Sequence, residues 1–285
     1  MGTPQEDFII NTAFTGAVSD KRRNPAVPYS PEEIAEDVRT CMGHGASMGH
    51  FHVRGDQGEA TNDPNRYAAL FDRVRSQPDT APIIAVASTS GRHGQTREER
   101  AAVLRLPRDL RPDMASLTLS SLNFPGGASI NQPEDIRFLA AEMRETGVRP
   151  ELEVFDLGMI AFAEKLIAED LIEPPFYFNI IFGNVAGISA NPASIAAVLA
   201  QLPDRSVVCF GGIGKVQMPS HLYALAGADG VRTGLEDNIW ADANRTPATN
   251  GGLVAKIEGL CSLAGRRIAG TEAVRARLGL PSAVV

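Results

Sequence analysis

Eight short apolar runs recur along this chain, separated by stretches with helical spacing, and no other feature narrows its fold as much. The runs cover 8–14, 48–53, 83–88, 114–119, 152–155, 176–182, 206–210 and 230–233. Helical periodicity covers 31–43, 65–75, 97–104, 133–146, 157–169, 192–202 and 218–225, and a longer stretch, 252–264, follows the last run. Several starts and stops are punctuated. Ser30 precedes Pro31, Glu32 and Glu33, the order of an N-cap followed by proline and an acidic first turn. Gly45, Gly147 and Gly227 stand where helices should end. Strand and helix alternating eight times predicts a (β/α)8 TIM barrel of class α/β. The competing architecture is an open doubly wound sheet, but no Gly-x-Gly-x-x-Gly follows the first run. With no linker or low-complexity tract, residues 1–285 are expected to form a single barrel domain. A short extra C-terminal helix over 271–278 would either cap the barrel or pack against a neighbouring subunit.

The 285 residues are 44% hydrophobic, enough for one large core. A net charge of −7 without any Lys/Arg run argues against nucleic acid, so an anionic ligand would need a local basic pocket. No apolar stretch is long enough to span a bilayer. Residues 1–7 lack the basic and apolar regions of a signal peptide. Cys41, Cys209 and Cys261 are scattered and odd in number, which points to free thiols in a reducing cytoplasm.

Within the second run stands His50-Phe51-His52. Side chains i and i+2 of a strand share a face, about 7 Å apart by strand rise, a spacing that suits two imidazole ligands of one metal ion. A half-buried strand that happens to carry two histidines has the same pattern. In a closed barrel strands 2 and 8 both flank strand 1, so a carboxylate just past strand 8 could reach a metal held by this pair. Glu236 is the candidate third ligand, leaving a position open for substrate. Asp237, beside it, is assigned to proton transfer or to orienting its neighbours, although Glu236-Asp237-Asn238 would also serve as an acidic N-cap. Arg232 lies on strand 8 in an apolar setting, costly unless it meets an anion: a substrate carboxylate or Asp237. Gly211-Gly212-Ile213-Gly214-Lys215 follows strand 7, where phosphate sites are common in this fold, so Gly212, Gly214 and Lys215 are candidate contacts to a ligand phosphate, although such a run is also the pattern of a plain turn. His44, His93 and His221 lack a partner pattern and read as structural or surface residues.

Taken together, Thr12-Ala13-Phe14-Thr15-Gly16-Ala17, His50-Phe51-His52-Val53-Arg54, Ser88-Thr89, Leu122-Asn123-Phe124, Pro150-Glu151-Leu152-Glu153, Gly212-Ile213-Gly214 and Arg232-Thr233-Gly234-Leu235-Glu236-Asp237-Asn238 resemble the motifs of the β-keto acid cleavage enzymes, in order and over nearly the whole chain. The resemblance implies a zinc-dependent (β/α)8 enzyme that condenses a β-keto acid with acetyl-CoA to give acetoacetate and a new acyl-CoA. It implies one zinc per subunit on His50, His52 and Glu236, with Ser88, Arg232 and Asp237 activating the substrate. Ser116 stands where the family carries Thr, and Glu153 matches a carboxylate on strand 5. Thr89, Asn123 and Val18 are expected beside the substrate. Members are expected to be homo-oligomers, often tetramers. The chemistry suits these residues: a Lewis acid can polarise the ketone while a base removes a proton from C2. Asp237 is that base, held by Arg232 and Ser88. The guanidinium would depress its basicity, so local dehydration must compensate.

One position departs from the family's 3-keto-5-aminohexanoate cleavage enzymes. There Gly-Ala after strand 1 is followed by Glu, which suits a substrate ammonium; here Gly16-Ala17 is followed by Val18. The substrate tail is therefore expected not to be a primary amine, and to be neutral, apolar or hydroxylated. Asp20, Lys21 and Arg22 could still reach in, which leaves a β-keto diacid open. The alternative reading is a metal-dependent aldolase, lyase or hydrolase on the same barrel that does not use CoA. An amidohydrolase-like site would place His-x-His on strand 1 and further ligands on strands 4, 5, 6 and 8; strands 5 and 6 here carry no His.

Overall fold

The fold was obtained as a computed structural model, which describes residues 7–92 and 95–283. Parallel strands β1 (Ile9–Ala13), β2 (Met48–Phe51), β3 (Ile84–Ala87), β4 (Met114–Thr118), β5 (Arg149–Val154), β6 (Phe176–Phe182), β7 (Ser206–Gly212) and β8 (Gly230–Thr233) pair in sequence order. β8 returns to pair with β1 and closes the barrel. The crossovers carry helices α1 (Pro31–Gly43), α2 (Pro64–Arg75), α3 (Arg97–Ala101), α4 (Pro133–Thr146), α5 (Leu157–Ala168), α6 (Pro192–Gln201) and α7 (Gln217–Gly227); α8 (Asn250–Leu263) and α9 (Thr271–Leu278) follow β8.

Local chemistry sets many of these boundaries. Ser30 and Glu33 form the reciprocal capping box at the start of α1, and Thr96 and Glu99 repeat it at α3. Asp63, Asn191 and Thr249 cap α2, α6 and α8. Gly147 closes α4 in the left-handed conformation. Two expectations shift. The apolar run over 48–53 is broken at His52, because Val53–Arg54 leaves the barrel to pair antiparallel with Ala60–Thr61. The helix expected over 97–104 tightens into a 3₁₀ turn, Ala102–Arg105, after its first turn. A small hairpin, Leu122–Phe124 with Gly127–Ser129, follows β4.

Strand alternation divides the interior into storeys. Ile9, Met48, Ile84, Met114, Tyr177, Val207 and Cys209 fill the lower barrel. α9 plugs that end: Val274 and Leu278 join the same apolar cluster, and Arg275 bonds Asp113 and the Ile83 carbonyl. The C-terminal helix is thus an intrachain cap. Above the apolar floor the inward positions turn polar: Asn11, His50, Ser116, Glu151, Glu153, Asn179 and Arg232 are all buried. So many polar groups inside one barrel have to satisfy one another or a ligand.

Candidate active site

Closure of the barrel decides which side chains meet. β1 lies between β8 and β2, with Asn11 opposite both Arg232 and Met48 and Ala13 opposite His50. The loop after β8 then folds inward across β1, its Glu236 N–H donating to the Ala13 carbonyl. A Cβ at Gly16, whose φ is +66°, would stand 2.6 Å from Glu236 Cγ, so only glycine leaves room for that carboxylate. Asn250 fastens the loop from behind, accepting from Leu235 N and donating to the Phe14 carbonyl. Arg54 clamps the neighbouring loop, donating to the carbonyls of Gly16, Gly58 and Ser19 while stacking on Tyr29.

His50, His52 and Glu236 converge as expected from the sequence. The two imidazoles lie 5.2 Å apart between ring centroids, closer than strand rise alone, because His52 sits just past the end of β2 and tilts toward His50. His52 Nε2 is 3.3 Å and His50 Nε2 3.8 Å from Glu236 oxygens. One donor atom from each of the three falls within 4.8 Å of the others. Among the described residues His50 Nε2 and Glu236 Oε2 are buried without a hydrogen-bond partner. Orphaned buried atoms on a His–carboxylate pair are what a divalent cation would satisfy, so the residues fit a metal. Beside them stands Arg232, whose burial would lower it but which Asp237, Glu236, Glu153 and Glu151 raise well above its ordinary value.

Glu151 is the residue that sequence reasoning quoted without giving it a task. Fully buried, it accepts from His50 Nδ1 at 2.6 Å, Asn11 Nδ2 at 2.8 Å and Asn179 Nδ2 at 3.0 Å. Its bond fixes the proton of His50 on Nδ1 and turns Nε2 toward Glu236, as outer carboxylates do for metal-bound histidines. Burial would raise Glu151, but the charge and hydrogen bond of His50 outweigh it and hold the carboxyl below its ordinary value. The i, i+2 spacing of Glu151 and Glu153 on a barrel strand was the available signal.

Arg232 is the hub beside this triangle. It donates from Nε to Asp237 at 2.8 Å, from Nη2 to Asp237 at 3.3 Å and from Nη1 to Glu153 at 3.2 Å, and it pairs with Glu236 at 2.7 Å. Thr118 donates to the other Glu153 oxygen. Burial raises Asp237 above the usual carboxylate range although Arg232 opposes it, so dehydration does outweigh the guanidinium. Glu236 goes the other way, held well below its ordinary value by Arg232 and the two imidazoles against the effect of burial. His221 packs behind, kept neutral by burial with its value lowered to about 4, its Nε2–H donating to the Arg232 carbonyl.

A pocket of about 350 Å³ opens over these groups. His52, Ser88, Glu153, Arg232, Glu236 and Asp237 reach it, and Val18 and Gly214 stand on its wall. Other candidates are placed elsewhere. Thr89 and Ser116 are buried against each other, Thr89 N–H donating to Ser116 Oγ and Thr89 Oγ1 to the Ser116 carbonyl, and neither lines the pocket. Asn123 lines a neighbouring cavity, where its carbonyl accepts from Asn184. Ser88 does not hold Asp237; its hydroxyl accepts from Ser90 N–H, and Asp237 is held by Arg232. Lys215 is exposed outside the pocket. Gly212 is required for packing, since a Cβ there would meet Ser220 and the Val216 backbone, while Gly214 N–H donates to the Asp237 carbonyl. The glycine loop is therefore tied to the backbone at Asp237. Of the other histidines, His44 is half-buried and pairs with Glu258, and His93 and residues 1–6 lie outside the described residues.

Comparison with known proteins bears on this arrangement. A family model described as beta-keto acid cleavage enzyme matches residues 7–280. The chain is 36% identical over 278 residues to a 3-oxoadipate:acetyl-CoA acetyltransferase of Cupriavidus necator, covering 96% of this chain and 95% of that one. It is 35% identical over 277 residues to a 3-keto-5-aminohexanoate cleavage enzyme of Acetoanaerobium sticklandii, covering 96% and 99%. Among solved structures, the apo structure of ObcA superposes with a TM-score of 0.77 at 23% identity, over 90% of this chain and 66% of that one, a likeness of fold.

Proposed function

This chain belongs to the beta-keto acid cleavage enzymes, which act with acetyl-CoA, and we propose that it joins C2 of a β-keto acid to the acetyl carbon, breaks the bond from C2 to the original acyl carbon, and releases acetoacetate and a new acyl-CoA. The observation that carries this reading is the triangle of His50, His52 and Glu236, with two orphaned buried atoms, opening into the same pocket as the Arg232–Asp237 pair. His50 Nε2, His52 Nε2 and Glu236 would hold one zinc ion, whose site keeps a position free for substrate. Zinc bound there would supply a Lewis acid that polarises the keto group and stabilises charge developing on its oxygen.

The remaining work falls to the chain's own residues. Asp237 takes the C2 proton onto its carboxylate; burial raises its affinity for that proton, and the bonds to Nε and Nη2 of Arg232 fix its direction. Glu153, braced by Thr118, holds the opposite edge of the guanidinium so that it cannot swing away. Glu151 orients His50. Val18 stands on the pocket wall and cannot neutralise a cation; the carboxylates that reach the pocket are Glu153, Glu236 and Asp237, each within reach of Arg232. A primary amine on the substrate tail would meet no free acid there. The relatives' names describe tails of opposite charge, so likeness alone does not choose between them.

The test is an assay of the zinc-loaded protein with acetyl-CoA and β-keto acids bearing cationic, neutral and anionic tails, read as acetoacetate formed. Turnover of at least one acid, abolished by His50→Ala, is expected. Zinc binding without acetoacetate from any acid would refute the cleavage reading and favour a CoA-independent metal aldolase.

A further inference from the structure

The charged residues that sequence inspection placed near the substrate tail do not reach it. Asp20 pairs with Arg22 and Lys21 with Glu33, and none of the three lines the pocket. Besides Arg232, two cations do: Arg23, from the same loop, and Arg92, just beyond β3. Among the described residues, neither guanidinium has a carboxylate or carbonyl partner. This sets them apart from Arg232, Arg54 and Arg100, each of which has its acceptors in place.

Arg92 is deliberately seated. Gly91 precedes it, and a Cβ at that position would lie 2.1 Å from the Ile130 carbonyl, so glycine alone lets the hairpin after β4 come this close. The hairpin brings Phe124 under the guanidinium at 4.4 Å from Cζ to the ring centroid, and Phe124 is braced edge-on by Phe155 at 5.6 Å. Arg92 is half-buried. Burial lowers it below its ordinary value and Glu236 only partly offsets this. A guanidinium so placed has given up part of its water and gained an aromatic face, while among the described residues its in-plane N–H donors have no carboxylate or carbonyl acceptor.

We infer that Arg92, helped by Arg23 at the rim, is the subsite for a carboxylate at the far end of the substrate, so that the preferred β-keto acid is a diacid. This inference rests on the cleavage reading above and replaces the neutral tail expected from Val18. Val18 and the Phe124 ring flank the chain of the acid, and the two charged ends are matched separately, the reacting end by the Arg232 site and the tail by Arg92. The phosphates of CoA carry the same charge chemistry. They hang at the far end of the pantetheine arm from the reacting thioester, however, beyond a pocket of this size.

The experiment compares kcat/KM for 3-oxoadipate, 3-oxohexanoate and 3-keto-5-aminohexanoate at saturating acetyl-CoA, in wild type and in Arg92→Met, Arg92→Lys and Arg23→Met. In parallel, calorimetry measures binding of adipate against hexanoate, without acetyl-CoA. The diacid should be preferred. Arg92→Met should lower the diacid-to-neutral ratio roughly 10- to 100-fold, mainly through KM for the keto acid, and weaken adipate binding to match. Arg92→Lys should recover part of the ratio, and the exposed Arg23 should change it only about two- to fivefold. Preference for the neutral or amino acid would overturn the inference. So would an unchanged ratio with a raised KM for acetyl-CoA, which would assign the guanidinium to CoA phosphates. If no acid yields acetoacetate the cleavage reading fails, while selective binding of adipate, lost in Arg92→Met, would still establish the anion subsite.

Discussion

Glu151→Gln separates the orienting shell of the candidate metal site from its ligands. The carboxylate is fully buried and accepts three bonds, from His50 Nδ1 at 2.6 Å, Asn11 at 2.8 Å and Asn179 at 3.0 Å. Each partner is a donor, so a carboxylate satisfies all three and an amide does not. If the new NH₂ faces His50, the imidazole must present its lone pair at Nδ1 and carry its proton on Nε2, the atom that points at Glu236. If it faces Asn11 and Asn179, both amides must flip, and Asn11 must also exchange roles with Tyr177. Either way a charge-assisted bond becomes a neutral one, a loss of about 1–2 kcal/mol. That corresponds to a loss of metal affinity of roughly 5- to 30-fold, overlapping the 10- to 100-fold typical when an outer partner of a ligating histidine is removed. The assay is competition for zinc against a chromophoric chelator at fixed pH. Acetoacetate formation should fall in step at limiting zinc and recover at saturating zinc. Glu153→Gln is the control, because that residue shares the strand and face but bonds Arg232 and Thr118; it should move zinc affinity little. An unchanged zinc affinity in folded Glu151→Gln would refute the orienting role.

Three further outcomes are expected. Without metal, burial lowers His50 but Glu151 outweighs it and holds the imidazole at about 9, so zinc binding at neutral pH must expel a proton from Nε2. Calorimetry in two buffers of different ionisation enthalpy should therefore give about one proton released per zinc, and none released would contradict the assignment of His50 as a ligand. Arg232→Met leaves buried carboxylates without their counter-charge and should destabilise the metal-free fold by about 3–5 kcal/mol, read as a lowered thermal midpoint; an unchanged midpoint would mean that the carboxylates there are already neutral. Burial raises Asp37 to about 6 against its bond from Asn250, with Glu33 and Glu36 adding to the rise. The folded state then holds this proton more tightly than the unfolded state, so stability falls as pH rises from about 4 to about 6. Asp37→Asn should stabilise the fold above pH 6, by at most about 3 kcal/mol, and the gain should vanish near pH 4; an equal effect at both would rule out titration as the cause.

Much of the candidate site could be read along the chain because its signals are local. His50 and His52 are two residues apart, and Arg232, Glu236 and Asp237 fall within six consecutive positions, so one strand end and one loop supply most of the candidate residues. The partners that tune them could not be read this way. Glu151 lies 101 residues from His50, and Glu153 lies 79 from Arg232. Nothing in the local pattern distinguishes a carboxylate that orients a histidine from one that meets substrate. Thr89, Ser116, Asn123 and Lys215 show the converse. A polar residue near a strand end has the right address, but whether it faces the pocket or a neighbouring strand depends on rotamer and register.

The chain's periodicity, two in the strands and 3.6 in the helices, determined the elements, their alternation and hence the barrel, because capping, proline, glycine and apolar spacing act over a few residues. Closure was decided only in three dimensions. When β8 meets β1, Glu236 is carried over Gly16 to the histidines and Arg232 is enclosed by three carboxylates. The contact of Arg92 with Phe124 was likewise decided by the close approach of two loops after different strands, allowed by a glycine at their crossing. Sequence sets what each residue can do. Which charges are left without a partner is a property of the packed interior, where desolvation makes every missing acceptor count.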